Sequence, residues 1–283
     1  MLRIAIQKSG RLSEESLNLI RECGISFIYS SLKLKTECTN FPLEILFLRD
    51  DDIPGYVADG VADIGIVGEN VLVEEGKAAL TVERLGFSKC RLSLAVPRGS
   101  EYESVQDLNG KNIATSYPNL LQAFLDARGV QAHIHTISGS VEIAPSIGLA
   151  DAICDIVSSG STLISNGLRE VERVFKSEAV LIANPELPQE KQEILDKLLF
   201  RIHAVQRASR AKYILLNSPN DKIAEISRLL PSIKAPTVLP LAEEGWSSLH
   251  SVVNEDDFWE IIEKIKAAGA QGILVVPIEK MIV

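Results

Sequence analysis

Short apolar runs alternate with amphipathic stretches through the first two thirds of the chain. Strands are predicted at residues 2–6, 43–48, 63–67, 92–96, 113–115, 133–137 and 152–157. Helices are expected from about residue 14 to 23, with Ser13 as N-cap and Gly24 at the end, and again after Pro118. Strands that alternate with helices are typical of βαβ units, so the pattern predicts an α/β protein with a largely parallel sheet.

The last third of the chain has a different order of elements. The stretch from Pro188 to about residue 211 has apolar residues at helical spacing and is expected to form a connecting helix. Beyond it the pattern predicts strands at 213–216, 237–241, 246–253 and 273–276, and helices at 221–230 and 256–268. The resulting order, βαββαβ, is that of a ferredoxin-like domain.

Composition and charge exclude several classes of protein. Apolar residues make up 46% and charged residues 24% of the 283 residues, as in ordinary globular proteins. The net charge of −9 provides no basic field for a nucleic-acid backbone. No window approaches the ~18 apolar residues of a membrane span, and the first residues carry no export signal, so a cytoplasmic location is expected. The four cysteines form no CxxC pair and are expected to be buried, reduced thiols.

The segment from 142 to 163 carries the clearest chemical signal. An apolar strand brings Asp155 into a loop of small residues, Ser158, Ser159, Gly160, Ser161 and Thr162, which enters a short helix. Free N–H groups and a helix start in such a loop suit a phosphate monoester. Asp155 and Glu142 are then placed to accept hydrogen bonds from the hydroxyls of a ribose whose 5-phosphate lies in the loop. The alternative is an ordinary Ser/Gly-rich turn that caps a helix.

A second candidate site directly follows the first strand. Lys8, Gly10 and Arg11 form a βα turn at the carboxyl end of a predicted parallel strand, where polyphosphate or pyrophosphate oxygens are commonly bound. The alternative is a solvated turn. Lys33 and Arg49 are further cations on or beside strands, each a weaker candidate when taken alone.

Three consecutive carboxylates, Asp50 to Asp52, raise the question of a metal site. They are better explained by the start of a helix, where carboxylates interact favourably with the dipole and Pro54 fits the first turn. Magnesium is expected to arrive with a phosphorylated substrate, near Asp155, without a site made by the protein alone.

The residues of the 142–163 segment match one family signature without a gap. The signature is carried by Glu142, Gly148, Ala150, Ile153, Asp155, Ile156, Ser159, Gly160, Thr162 and Leu163. Residues 7–12, 49–54, 63–70, 114–118 and 277–281 also match. On these motifs the chain resembles the long form of ATP phosphoribosyltransferase over essentially its full length.

The resemblance implies a fold and an activity. The fold is two periplasmic-binding-protein-like lobes of type II, formed by residues 1–90 with about 180–210 and by 91–179, followed by a ferredoxin-like regulatory domain at 211–283. The activity is transfer of phosphoribosyl from phosphoribosyl pyrophosphate to N1 of the adenine of ATP, with Mg2+ required. This is the first step of histidine biosynthesis.

The resemblance also implies roles for individual residues. The loop from Ser158 to Thr162 would hold the 5-phosphate, and Glu142 with Asp155 the ribose hydroxyls. The remaining groups, expected to serve pyrophosphate and ATP, are Lys8, Gly10, Arg11, Lys33, Arg49 and Tyr117.

The C-terminal domain would bind histidine as a feedback inhibitor. Asn217, Thr237 and Ala270 are the expected inhibitor contacts, with Asn217 at a position where some relatives carry Asp. The resemblance further implies a homo-oligomer, from dimer to hexamer.

The main alternative is a binding module, because the phrase at residues 60–68 is common in solute-binding lobes. A free-base phosphoribosyltransferase is disfavoured because its paired-acid loop is absent.

Overall fold

The structure is a computed structural model that describes residues 1–30, 32–232 and 235–282. The chain divides into two compact units, Met1–Arg21 with Ile25–Leu195 and Glu22–Gly24 with Asp196–Val283. The first unit contains two sheets and the second contains one.

The first five strands belong to one sheet, which with its helices is called lobe I. Its elements are β1 (Leu2–Gln7), α1 (Arg11–Glu22), β2 (Lys35–Glu37), β3 (Leu43–Leu48), α2 (Ile53–Ala58), β4 (Ile64–Gly68), α3 (Glu69–Glu75) and β5 (Leu80–Arg84). Strand β1 lies between β3 and β4 and is parallel to both. The carboxyl ends of these three strands therefore meet at one edge of the sheet.

The chain then builds a second sheet, called lobe II. Its elements are β6 (Cys90–Pro97), β7 (Asn112–Thr115), α4 (Pro118–Asp126), β8 (His133–Thr136), β9 (Ala152–Val157), α5 (Ser161–Ser165) and β10 (Leu168–Ser177). The strand order is β10-β6-β9-β7-β8, with β7 parallel to β8 and β9. The carboxyl ends of β7 and β9 therefore lie together.

The chain returns to lobe I through β11 (Ala179–Ala183), which lies antiparallel between β4 and β5. A single residue, Glu178, separates β10 from β11, so one extended segment runs from one sheet into the other. Each lobe has its own core: aliphatic side chains of β4, α2 and β11 fill lobe I, and those of β6, β7 and α4 fill lobe II.

The second unit begins within the long helix α6 (Gln189–Ser209). It continues with β12 (Ala211–Pro219), α7 (Ile223–Leu229), β13 (Thr237–Pro240), β14 (Trp246–Asn254), α8 (Glu255–Ala267) and β15 (Gln271–Pro277). The sheet order β13-β14-β12-β15, antiparallel throughout, is ferredoxin-like. Apolar side chains of both helices and of β12 and β14 form its core.

The strands with the clearest periodicity agree with their predicted positions, and so does the connecting helix. One detail was wrong: Ser13 is not the N-cap of α1, because the helix begins at Arg11 and Ser13 is buried inside it. Strands β2, β5, β10 and β11 were not predicted. In β10 charged residues interrupt the apolar pattern, and its pairing with β6 shifts register twice.

Two further expectations concern the cysteines and membrane-spanning helices. Cys23 and Cys154 are buried, but Cys38 and Cys90 are half-buried, so the prediction of four buried thiols was wrong for two; all four are free. Among the described helices, none is both long and apolar enough to cross a membrane.

Candidate active site

A cleft lies between lobes I and II, where the carboxyl ends of their parallel strands face one another. Tyr117 shows this most directly, because its ring packs against the cores of both lobes. It directly precedes α4 of lobe II, and its hydroxyl faces the side chain of Asn70 of lobe I, whose amide acts as a donor and lowers the pKa of the tyrosine against the effect of burial. The cleft is therefore closed at this point by a side chain shared between the two sheets.

On the lobe II side, Asp155 lies in β9, two residues before the strand ends, and is half-buried. Its Oδ1 accepts a hydrogen bond from the backbone N–H of Ile156 at 2.7 Å. Burial raises the pKa of Asp155, and the nearby carboxylate of Glu142 raises it further, against the opposing effect of the Ile156 N–H. Glu142 itself lies in the 3₁₀ turn Val141–Ile143 and is half-buried. The structure thus brings the two predicted ribose-binding carboxylates together.

The loop between β9 and α5 has the features of an anion cradle. Gly160 has φ +84°, a conformation that L side chains disfavour, and it allows the chain to turn into α5. The hydroxyls of Ser159 and Ser161 are 2.9 Å apart and bridge the turn. Among the described residues, no acceptor engages the backbone N–H of Ser159 or Gly160. Thr162 is exposed at the start of α5, which is too short for its dipole to contribute much.

Tyr117 is held as a neutral hydroxyl at the centre of the cleft. Burial raises its pKa far above the ordinary value for tyrosine, and the carboxylates of Asp155 and Asp50 raise it further. Asp50, at the end of β3, also has a raised pKa, because it is half-buried and faces the charge of Asp51. A tyrosine that stays protonated can donate its proton into the cleft.

Asn70 is the lobe I side chain that faces Tyr117, and it is not among the predicted site residues. Asn70 is 5% exposed, and its Oδ1 accepts a hydrogen bond of 2.6 Å from the Ser177 hydroxyl of lobe II. Its amide nitrogen is thereby left to face Tyr117. A Cβ on Gly68 would lie 2.5 Å from Asn70 Oδ1, so only glycine leaves room for this arrangement.

A second contact crosses between the lobes at Glu74 in α3. Its carboxylate accepts hydrogen bonds from the backbone N–H groups of Asn119 at 2.8 Å and Leu120 at 2.9 Å. These N–H groups begin α4 and have no partner within their own helix. Glu74 of lobe I therefore caps a helix of lobe II, and this holds Tyr117 in register with Asn70.

The lobe I side of the cleft carries exposed cations. The backbone N–H of Lys8 donates to the carbonyl of Leu48 at 2.8 Å, which continues the pairing of β1 with β3 and places Lys8 beside Arg49. Gly10 lies between Lys8 and Arg11, and Arg11 begins α1. Arg11 Nε lies 3.2 Å from the carboxylate of Glu15, its neighbour one turn along the helix. The Arg11 charge also opposes the effect of burial, which raises the pKa of Cys90, the first residue of β6 in lobe II, so this cation lies near the boundary of the two lobes.

The structure gives less support to Lys33 as a ligand contact and to Asp52 as a helix cap. Lys33 is exposed in the loop before β2 and makes no ion pair with any described residue. Asp52 occupies the N-cap position of α2 but makes no side-chain hydrogen bond to the helix. Across residues 1–30, 32–232 and 235–282, no three His, Cys, Asp or Glu side chains are arranged to hold a metal ion.

In the C-terminal domain, Asn217 and Ala270 lie close together. Asn217 pairs with Gln271 of β15, and Ala270 immediately precedes that strand and is buried in the core. Thr237 begins the edge strand β13 and pairs with His250, and two strands, β14 and β12, separate it from β15. Within one copy of the chain, the three predicted inhibitor contacts are therefore not brought to one place.

Asn70 was given no role although it ends the 63–70 segment that matches the family, and Glu74 was missed because nothing in its local sequence marks a function. Both lie on the first helix after β4, two residues and six residues beyond Gly68. A polar residue two positions after a parallel strand that ends in glycine is a signal that could have drawn attention to Asn70. Glu74 has no such signal, because its partners are 45 and 46 residues away.

Comparison with known proteins identifies the family. Residues 49–204 match the family described as ATP phosphoribosyltransferase, and residues 208–280 match its C-terminal domain. A protein named ATP phosphoribosyltransferase from Cytophaga hutchinsonii is 66% identical over 282 residues, covering 100% of this chain and 99% of its own length. One from Bacteroides fragilis is 59% identical over 283 residues, covering 100% of both.

Two solved structures have folds similar to that of this chain. The ATP phosphoribosyl transferase (HisG:HisZ) complex from Thermotoga maritima is 31% identical, with a TM-score of 0.63, and covers 72% of this chain and 96% of its own. A putative periplasmic sulfonate-binding protein from Methylobacillus flagellatus has a TM-score of 0.50 at 17% identity, covering 71% of this chain and 66% of its own, and shows the fold alone. The predicted fold class, with binding-protein-like lobes and the C-terminal domain, is confirmed. The chain therefore belongs to the ATP phosphoribosyltransferase family, the enzymes of the first step of histidine biosynthesis.

Proposed function

We propose that the chain transfers the phosphoribosyl group of phosphoribosyl pyrophosphate to N1 of the adenine ring of ATP and releases pyrophosphate. The observation that carries the proposal is the juxtaposition of a loop with unpaired N–H groups, at Ser159 and Gly160, and the half-buried carboxylate of Asp155. A phosphate in the loop and a ribose at the carboxylate account for both ends of one sugar phosphate.

The chemistry requires charge stabilisation above all. Breaking the anomeric bond builds positive charge on the ribose and negative charge on the leaving pyrophosphate. Asp155 and Glu142 face the positive charge, and the exposed cations Lys8, Arg11 and Arg49 face the negative one. Adenine N1 is already a lone-pair nucleophile, so no general base is needed to start the reaction. The protonated Tyr117 hydroxyl supplies a hydrogen bond to the nucleotide.

Mg2+ fits the proposal as an ion that enters with phosphoribosyl pyrophosphate. The described residues gather no three-ligand cluster, and Mg2+ readily binds phosphate oxygens and water with one or two carboxylates. Asp155 is the carboxylate proposed to lie near it. When bound, the ion would neutralise charge on the pyrophosphate; the chain's own residues orient the sugar and the base.

Regulation, assembly and location belong to the same proposal. We propose a cytoplasmic homo-oligomer, from dimer to hexamer, that histidine inhibits through the C-terminal domain near Asn217 and Ala270. Exposed apolar side chains on the edge strands of that domain, Val238, Leu239, Leu274, Val275 and Val276, support an assembly that covers them. Because Thr237 lies apart from Asn217, an inhibitor site shared between copies is consistent with the geometry.

The activity is tested by mixing the protein with ATP, Mg2+ and phosphoribosyl pyrophosphate, with inorganic pyrophosphatase to remove the product. N1-modified adenine should appear as a change in ultraviolet absorbance. Omitting phosphoribosyl pyrophosphate, or replacing ATP by GTP, should abolish the signal. A binding module would consume no ATP, so an unchanged spectrum with bound ligand would overturn the proposal.

Histidine inhibition is tested in the same assay. Added histidine should slow the wild-type enzyme, and Asn217→Ala should weaken that inhibition without a change in uninhibited turnover. Asn254→Ala is the matched control, because Asn254 lies at the far end of β14. Equal inhibition of the two variants would contradict the assignment of Asn217.

A further inference from the structure

Arg91, the second residue of β6, lies beside the candidate phosphate loop without belonging to it. Its Nε and Nη2 each lie 2.6 Å from a different carboxylate oxygen of Glu170 in β10. Its remaining nitrogen, Nη1, donates to the backbone carbonyl of Ser158 at 3.1 Å. The guanidinium therefore makes a bidentate contact with Glu170 on one side and binds the Ser158 carbonyl on the other. Of the basic side chains, only arginine has a planar group that can make both contacts at once.

The far end of this connection is also fixed. Ser93, buried in β6 between Arg91 and the strand centre, donates its hydroxyl to Glu170 Oε1 at 2.8 Å. The hydrogen bond from Arg91 lowers the pKa of Glu170 below its ordinary value, and the hydrogen bond from Ser93 lowers it further. This network of hydrogen bonds connects three strands: Arg91 and Ser93 lie in β6, Glu170 lies in β10, and Ser158 follows the end of β9.

Holding the Ser158 carbonyl also determines the direction of a neighbouring donor. The oxygen of Ser158 and the N–H of Ser159 belong to one planar trans peptide and point in opposite directions. An oxygen bound to Arg91 cannot turn toward an anion in the loop, and the Ser159 N–H must point away from Arg91. That N–H is one of the unpaired donors of the loop.

We infer that Arg91, clamped by Glu170, is a positioning residue that presets the Ser158–Ser159 peptide for the 5-phosphate of phosphoribosyl pyrophosphate. The inference rests on the proposed function, since it assigns the loop to that phosphate. Arg91 acts through the peptide and contacts no substrate. Without it, the peptide can rotate and place a carbonyl oxygen against the phosphate, which would repel it.

A purely electrostatic role for Arg91 is the competing explanation. Arg91 lines a pocket of about 440 Å³ together with Ser158, Lys89, Arg173 and Lys176, so several cations are present near the loop. The Arg91 charge is offset by Glu170 at hydrogen-bond distance, whereas the side chain of Arg173 forms no ion pair in the described chain. Arg173 is therefore a matched control that removes one positive charge from the same pocket and leaves the Ser158 carbonyl bound.

The experiment compares Arg91→Gln, Arg91→Lys, Glu170→Gln and Arg173→Gln in the full chain. Steady-state kinetics give kcat and the KM of each substrate, and calorimetry gives the Kd of ribose 5-phosphate without turnover. Arg91→Gln should raise the KM of phosphoribosyl pyrophosphate and the Kd of ribose 5-phosphate about 10- to 30-fold, the scale of a charge-assisted hydrogen bond. The KM of ATP should stay within about twofold, and Arg173→Gln should change no constant by more than that.

The conservative variants separate geometry from charge. Arg91→Lys keeps the charge but cannot hold Glu170 and Ser158 together, so its constants should move in the same direction by about 3- to 10-fold. Glu170→Gln should behave similarly. If Arg91→Gln does not fold, these two variants decide the question by the same measurements.

Two results would overturn the inference. One is an equal rise for Arg91→Gln and Arg173→Gln, which would assign the effect to charge. The other is wild-type affinity for ribose 5-phosphate in Arg91→Lys and Glu170→Gln. Failure of the proposed function is distinguishable, because it would appear as an absence of product with the wild-type enzyme.

Discussion

The two faces of the cleft differ in burial and in hydrogen bonding. Lobe II presents half-buried carboxylates and a loop fixed by internal hydrogen bonds, and Asp155 has a pKa raised by burial. Lobe I presents Lys8, Arg11 and Arg49 as exposed side chains, of which Arg11 has a single ion pair, at 3.2 Å from Glu15. A partly buried, hydrogen-bonded face stands opposite an exposed, solvated one.

The difference matches what each face is proposed to bind. A sugar phosphate must be held at a defined distance and angle, which requires preorganised groups. A leaving pyrophosphate carries diffuse charge and must depart, which flexible cations allow. We therefore expect single substitutions in lobe II to cost far more activity than single substitutions in lobe I.

The largest effect is expected from Asp155→Ala. It removes a preorganised carboxylate from the developing positive charge of the ribose, so turnover should fall by about two orders of magnitude. Pyrophosphate release in a coupled assay measures this. Asp151→Ala is the control, because Asp151 lies at the opposite end of β9 and accepts a backbone hydrogen bond from Asn112. Near-normal turnover in Asp155→Ala would refute the role of lobe II in catalysis.

Asn70→Ala tests the connection between the faces. Loss of the amide frees Tyr117 and leaves the Ser177 hydroxyl without its acceptor, so turnover should fall about 5- to 10-fold. Asn70→Asp should not restore activity, because a carboxylate can accept from Ser177 but cannot donate to Tyr117. Asn184→Ala removes another half-buried amide of lobe I and should keep full turnover. Recovery in Asn70→Asp would show that Tyr117 needs no donor.

Arg11→Gln is expected to have a smaller effect. An exposed cation acts through water and is screened by salt, so kcat/KM should fall about 3- to 5-fold at low salt. The deficit should shrink as salt is added. Arg21→Gln, which neutralises a charge at the other end of α1, should leave kcat/KM unchanged. A loss as large as that of Asp155→Ala would erase the proposed distinction between the faces.

The smallest expected effect is a change in stability, not in turnover, and it is expected from Asp155→Asn. The folded-state pKa of Asp155 is raised above its unfolded value, so the stability it contributes is present at acid pH and is lost as pH rises through the folded pKa. Asparagine does not ionise and can still accept the Ile156 N–H. The variant should therefore melt at most a few degrees higher near pH 8, and the gain should vanish below about pH 4. A lower melting temperature at pH 8 would contradict burial as the cause.

The sequence located the local parts of the site well. The loop from Ser158 to Thr162 and the turn at Gly10 are contiguous, and small residues after an apolar strand carry their own signal. The carboxyl-end rule for parallel strands placed Lys8 and Arg49 on neighbouring strands. Glu74 and Arg91 could not be found in this way, because each is defined by a partner 45 to 67 residues away. Asn70 lies just after a parallel strand, but its partner Ser177 is 107 residues away and only the fold brings the two together.

Periodicity, turn chemistry and a contiguous motif are properties of neighbouring residues, so the sequence alone determined the α/β class, the βαββαβ order at the end of the chain and the phosphate-loop candidate. Strand β10 had to be seen in its sheet, because charged side chains along it are stabilised by pairing with β6. The raised pKa of Asp155, the orientation of Tyr117 and the hold of Arg91 on Ser158 were decided by tertiary structure. Burial and hydrogen bonding arise only when residues distant in sequence are packed together.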